Sequence, residues 1–201
     1  MFQIRFHGRG GQGVVTAAEM LSVAAFLEGK HAQAFPSFGS ERMGAPVVSF
    51  CRISEKEIRL RDPVFEPDAL IVQDPTLLLM PGLFDGLKSD GYVLINSSRD
   101  ITELGLDDLL HRLPLGNILT LAGTELALKH FKRPMPNAAM LGGLAAMSGV
   151  IKMESVASAI MEAFAGAIGQ ANVAAAKESY EIVKAKRNAL IASTRKEAIA
   201  C

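Results

Sequence analysis

Two kinds of apolar spacing divide the chain. Val14, Ala18, Leu21 and Ala25 recur at four and three residues, one stripe of a helix over Val14–Leu27 with Gly29 as the residue that ends it. By contrast, Asp68–Gln73 (DALIVQ), Tyr92–Ile95 (YVLI) and, more weakly, Asn117–Leu121 (NILTL) are continuous runs, as in strands buried on both faces of a parallel sheet. Phe2–His7 and His31–Phe35 predict two further short strands, and Val47–Ile53 with Glu57–Leu60 predict a hairpin turning at Ser54–Lys56. From Ala122 onward the chain is rich in Ala, Met and Gly, and helices are predicted over 124–131, 137–150, 155–167 and 171–196. The last of these places Val173, Ala176, Tyr180 and Val183 on one face. Gly142, Gly143 and Ala145 predict close helix approach, within the chain or against another subunit. With no repeat or long linker, the pattern describes a single α/β domain over 1–201. The expected fold is a Rossmann-like, mainly parallel sheet flanked by helices, with a β-hairpin and a helical C-terminal part.

Composition narrows the chemistry. A chain of 201 residues that is 49% hydrophobic can close a core. Its 21 basic and 21 acidic side chains cancel, so it lacks the electrostatic footprint of a nucleic-acid binder. Two cysteines, Cys51 and Cys201, cannot supply the four ligands of an iron–sulfur cluster or a Cys-type zinc site, and they form no disulfide framework. A reducing cytoplasm is the expected compartment. The longest uncharged stretch, Pro134–Ile151, is broken by Pro and Gly and falls short of the roughly 20 apolar residues of a membrane span, so it predicts a buried helix. The first residues carry charges where a secretory signal would be apolar.

The candidate site begins with Gly8-Arg9-Gly10-Gly11-Gln12-Gly13, which stands between the first strand and first helix and fits G-x-G-x-x-G. Glycines admit a phosphate close to the backbone, and the helix start offers free N–H groups and a positive dipole end. Arg9 and Gln12 add donors at the mouth, with His7 beside them. A dinucleotide site also needs an acid at the end of the second strand, where this chain has Phe35, Pro36 and Ser37. NAD is therefore poorly supported, and a turn made for packing alone remains an alternative. The second loop, Ser37–Pro46, brings Glu41 and Arg42, and an Arg near strand ends can take a carboxylate or phosphate bidentately. A solvated Glu–Arg pair is the plainer reading. The charges of Arg52, Glu55, Glu57, Arg59 and Arg61 suggest a solvated or interfacial face. No G-x-S-x-G elbow, histidine metal pair or G-x-x-x-x-G-K-[ST] loop occurs, and Met140, Met147, Met153 and Met161 read as core filler.

The run from Ile4 to Ser54, IRFHGRGGQG…HAQAFPSFGSERMGAPVVSFCRIS, resembles the gamma subunit of 2-oxoacid:acceptor oxidoreductases, the pyruvate:ferredoxin oxidoreductase group. Asp68–Asp74, Pro136–Gly143 and Ala171–Tyr180 continue the resemblance more loosely. The resemblance implies a heteromeric, anaerobic enzyme that decarboxylates a 2-oxoacid, pyruvate-like or aryl such as phenylglyoxylate, on thiamine diphosphate with Mg2+. Electrons pass through [4Fe-4S] clusters, and the acyl group goes to coenzyme A. It implies thiamine-binding alpha and beta subunits, a ferredoxin-like cluster subunit and, in some complexes, an NAD-reducing subunit. No GDG…NN thiamine segment is found here, so catalysis is expected to need those partners. Gly8–Gly13, Ser37, Glu41 and Arg42 are then expected to face the coenzyme A entrance, with no catalytic residue and no metal ligand on this chain. A non-catalytic assembly subunit and a free-standing NAD(P)-binding oxidoreductase are the alternatives.

Overall fold

The computed structural model describes residues 1–37 and 43–199, with side chains through 193. One six-stranded sheet runs in the order β2-β3-β1-β4-β5-β6. Its strands are β1 (Phe2–Arg9), β2 (His31–Pro36), β3 (Pro46–Ser54), β4 (Ala69–Val72), β5 (Tyr92–Asn96) and β6 (Ile118–Leu121). Strands β1, β4, β5 and β6 are mutually parallel, whereas β3 lies antiparallel between β1 and β2. The sheet is thus mixed, parallel in the half built by the continuous apolar runs. Helices α1 (Val14–Leu27), α4 (Asn137–Ser148), α5 (Met153–Ala163) and α6 (Gly166–Ile199) contribute to the core on the face that carries Ile4 and Phe6. The opposite face is covered over β4–β6 by the segment after β4 and by the short helix α2 (Asp107–Arg112), through Leu83, Leu87, Ile101, Leu109 and Leu113. A further helix, α3 (Gly123–Phe131), follows β6.

Helix α1 spans the residues predicted for it, and Gly29, at φ 77°, turns the chain out of it. Other expectations are corrected. Residues 57–60 form no strand, because both edges of β3 are already taken by β1 and β2; the antiparallel hairpin of the fold is β2–β3 itself. Arg52, read as part of a solvated face, is 1% exposed. Its interior strand holds it over the Phe35 ring, while it donates to Gln3 Oε1 (3.0 Å) and the Asp62 carbonyl (2.6 Å). Helix α5 ends at Ala163 and α6 begins at Gly166, since Phe164 is extended and Gly166 is left-handed. The short α2 and a 3-10 turn over Pro75–Leu79 carry too few apolar repeats to have been predicted.

The small residues of α4 pack within the chain. A Cβ on Gly142 would stand 2.0 Å from the Ala176 carbonyl oxygen of α6, and one on Gly143 would meet Leu94 of β5 at 2.7 Å. Ser179 Oγ donates to the Ala139 carbonyl across the same seam (2.6 Å). Among the described residues, no helix is long and apolar enough to cross a membrane.

His7 of β1 is the most perturbed histidine of the fold. Burial, then the neighbouring Arg5 charge, lowers its pKa to about 3, and its neutral Nε2 accepts from Arg5 Nε (3.1 Å). The unfolded chain takes up this proton near pH 6.5 and the folded chain only near 3, so His7 makes stability decline as pH falls through that interval. Denaturant unfolding at a series of pH values is expected to show a shallower acid decline for His7→Gln than for the parent chain.

Candidate functional site

The glycine motif straddles two elements. Gly8 and Arg9 still belong to β1, paired with Val47 and Pro46 of β3, so only Gly10–Gly13 form the turn into α1. Two glycines are required by space. A Cβ on Gly8 would lie 2.6 Å from Val14 Cγ2, and Gly13, at φ 72°, would bring one within 2.5 Å of Asn137 Nδ2.

A carboxylate at the end of β4 holds this turn. Asp74 follows the last β4 residues and caps the Pro75–Leu79 turn by accepting from Thr76 N–H (3.0 Å) and Thr76 Oγ1 (2.6 Å). Its other oxygen accepts from Gln12 Nε2 (2.8 Å) and lies 3.3 Å from Arg9 Nε. Gln12 Oε1 in turn accepts from the Arg9 backbone N–H (2.8 Å), which fastens the turn to β1. Burial would raise the Asp74 pKa, but hydrogen bonds from Thr76 and Gln12 and the charge of Arg9 outweigh it and hold the carboxyl below its ordinary value. The latch is therefore ionised at neutral pH, and its contribution is lost only as pH falls below the ordinary aspartate range.

Arg9 is both held and free. Its Nε and Nη2 donate to Thr76 Oγ1 (3.2 and 2.7 Å), and Nη1 donates to the Gly44 carbonyl (3.0 Å). A guanidinium has five N–H groups, so one on each terminal nitrogen is unclaimed among the described residues. Arg9 also lines a pocket of about 300 Å3, together with Gly10, Gly11, Gly13, the α1 first turn, Val47 and Met135. The α1 start has no side-chain cap and no acid in its first turn, which leaves its N–H groups and dipole end to the pocket.

The two sequence-predicted loops meet. Gly10 N–H donates to the Ala45 carbonyl (2.9 Å), Gly44 N–H donates to the Gly10 carbonyl (3.1 Å), and Gly10 bridges to Met43. Ser37 continues the β2–β3 ladder through its N–H to the Val48 carbonyl (2.8 Å). Glu41 and Arg42 lie outside the described residues. Gln12, expected as a donor at the mouth, is directed to Asp74 and β1 instead.

Sequence reasoning missed the polar floor. Gln73 is fully buried, and neither its side-chain oxygen nor its nitrogen has a partner among the described residues; Asn137 Nδ2 is likewise buried and unpaired beside Gly13. Asn96, at the end of β5, donates to the Gln73 carbonyl and to Thr124 Oγ1 (2.8 Å each). For Gln73 and Asn96 the available signal was a polar residue just after the aliphatic residues of β4 and β5, since that position falls at the carboxyl end of a parallel strand, where open α/β sheets bind ligands.

The arrangement suits an anion rather than a dinucleotide. The strand beside β1 is the antiparallel β3, and β2 is displaced to the sheet edge, so the position of the ribose-binding acid does not exist here. Among the described residues, no group of His, Cys, Asp or Glu side chains could hold a metal ion.

Comparison with known proteins gives a consistent picture. The family description pyruvate ferredoxin/flavodoxin oxidoreductase matches residues 3–182. The chain is 46% identical to the pyruvate/ketoisovalerate oxidoreductases common subunit gamma of Pyrococcus abyssi, over 90% of this chain and 96% of that one. It is 47% identical to pyruvate synthase subunit PorC of Methanocaldococcus jannaschii, with the same coverage. The crystal structure of pyruvate oxidoreductase subunit PORC from Thermotoga maritima superposes with a TM-score of 0.75 at 36% identity, covering 90% of this chain and 95% of that one.

Gly13→Ala combines left-handed strain with a collision at Asn137. It is expected to lower unfolding free energy by about 1–3 kcal/mol, read by denaturant melts, while Gly44→Ala, whose added Cβ meets nothing, carries the strain alone and costs less.

Proposed function

The chain belongs to the pyruvate ferredoxin/flavodoxin oxidoreductase family, and we propose that it acts as the gamma subunit of a thiamine diphosphate-dependent 2-oxoacid oxidoreductase, its glycine turn receiving an anionic part of coenzyme A. The single observation that carries this reading is the pocket at the uncapped start of α1, lined in part by Arg9, whose guanidinium keeps two N–H groups unclaimed among the described residues. Phosphates of coenzyme A match that chemistry, because backbone N–H groups and a guanidinium fork bind phosphate oxygens without needing a base.

In this reading the chain binds and orients rather than reacts. Arg9 and the α1 N–H groups hold the charged end of coenzyme A, and the Asp74–Gln12–Thr76 latch keeps Arg9 from folding into the pocket. Thiamine diphosphate supplies the decarboxylation and iron–sulfur clusters the electron path, but the described residues do not fit either group. Cys51 is wholly buried, and burial pushes its thiol far above the ordinary range, so it is a packing residue and no cluster ligand. Partner alpha, beta and cluster-bearing subunits are therefore assigned those groups. The Pyrococcus abyssi relative is named a subunit common to pyruvate and ketoisovalerate oxidoreductases. That sharing supports placing the choice of 2-oxoacid on the partners and a pyruvate-like acid as the substrate class.

The test uses the assembled complex. Arg9→Ala is expected to raise the KM for coenzyme A about tenfold, a loss of ~1.4 kcal/mol, and Arg42→Ala to act in the same direction. The coenzyme A-independent decarboxylation should be unchanged. Normal KM values in both variants, with normal assembly, would leave the two loops a scaffolding role and defeat the proposal.

A further inference from the structure

The two edges of the sheet are treated differently. At β6, Lys186 Nζ reaches the Thr120 carbonyl (3.1 Å), and Arg187 reaches the Gly116 carbonyl and Asn117 Oδ1. Charged side chains from α6 thereby occupy that edge. The other edge, β2, carries no such cover among the described residues and contributes His31, Ala32 and Gln33 to a groove of about 700 Å3. One wall is Ser22, Val23 and Phe26 of α1, with Phe26 74% exposed; the other is Glu57 and Ile58.

Hydrogen-bond parity shows which groups face out along that edge. Ser37 N–H bonds the Val48 carbonyl, so alternate residues Phe35, Gln33 and His31 turn their backbone groups to β3. Ala32 and Ala34 therefore present N–H and C=O outward from the sheet edge, Ala32 into the groove. The ladder is bounded at both ends. Pro36 has no N–H, and the Lys30 N–H is already spent on the Ala25 carbonyl.

We propose that this edge is occupied by β2 of a second copy of the chain, antiparallel across a two-fold axis at Gln33. That register pairs Ala32 with Ala34 of the second copy and Ala34 with its Ala32, which satisfies every outward N–H of the two alanines in four hydrogen bonds. It sets Gln33 opposite Gln33 on the axis. The charges are self-complementary. Lys30 pairs with Glu28 and Arg59 with Glu57 inside the chain, which leaves Glu162 as the charge at the His31–Gln33 end of the groove and Arg61 as the charge of its continuation beside Phe35. Antiparallel pairing lays the acidic end of each copy against the basic end of the other, and the exposed Phe26 of each α1 comes toward the axis. A two-fold interface requires this kind of self-match.

The geometry offers a direct trap. Gln33 opposite Gln33 is a non-hydrogen-bonded pair, whose Cα atoms stand about 4.5 Å apart. That lies within the ~4.4–6.8 Å range of a disulfide. In full-length chain carrying Cys201→Ser, with Cys51 buried, Gln33→Cys is expected to give a covalent dimer under mild oxidation. The parent chain should behave as a dimer in sedimentation equilibrium. Adding Ala34→Pro, which removes an outward N–H but none from the β2–β3 ladder, is expected to abolish the cross-link and leave a monomer with unchanged far-UV circular dichroism. A parent chain that stays monomeric across the micromolar range, or a dimer indifferent to Ala34→Pro, would overturn the proposal. So would a monomer whose Ala34→Pro variant fails to join partner subunits, which would give the edge to a strand of another chain.

Discussion

The organisation of the candidate site depends on one carboxylate. Asp74 stands at the carboxyl end of β4, beside the end of β1, and draws to itself the Gln12 side chain, the Thr76 backbone and hydroxyl, and the charge of Arg9. Gln12 and Arg9 belong to the glycine motif and Thr76 to the turn after β4, so the ion ties the one to the other. Without it the turn would keep its bonds to residues 44–45 and the Gln12–Arg9 contact but lose its tie to the β4 side, and glycines supply permission for a conformation rather than a preference. Because the carboxyl is held below its ordinary pKa, the tie is charged throughout the neutral range.

The sheet order gives that tie its meaning. With β3 antiparallel on one side of β1 and β4 parallel on the other, the end of β1 has a second loop on one flank and Asp74 on the other. Gly10 is stitched to residues 43–45, and Arg9 bridges both flanks through Gly44 and Thr76. The G-x-G-x-x-G spelling is thus used in a setting where a dinucleotide lacks its ribose partner, and what remains is the pocket lined by Arg9 and the glycine turn, which we propose takes an anionic group. Packing below is equally restrictive, since Gly142 and Gly143 let α4 approach α6 and β5 closely enough to hold Asn137 against Gly13.

Much of this was legible in the chain. The continuous runs became parallel strands buried on both faces, the three-and-four spacing became α1, and the glycine motif and the second loop were placed together by their spelling. Three kinds of feature were not legible. Glu57–Leu60 alternates as a strand does, but alternation says nothing about whether an edge is free, and β3 had none to offer. Arg52 looked solvated because its neighbours in sequence are charged, whereas its partners come from β1 and from residues 62–63. Asp74, Gln73 and Asn137 were inconspicuous because a polar residue after an apolar run marks a strand end, whereas only long-range pairing shows that this end lies beside the glycine turn.

The central claim is that Arg9 and Asp74 act as one unit in presenting the pocket to coenzyme A. A double-mutant cycle on the assembled complex, with Arg9→Ala, Asp74→Asn and both together, reads this in the KM for coenzyme A. The account predicts that each single substitution raises KM and that the double variant is little worse than either, because the second change removes what the first has already disabled. Effects that simply add, or a KM indifferent to Asp74→Asn, would contradict it.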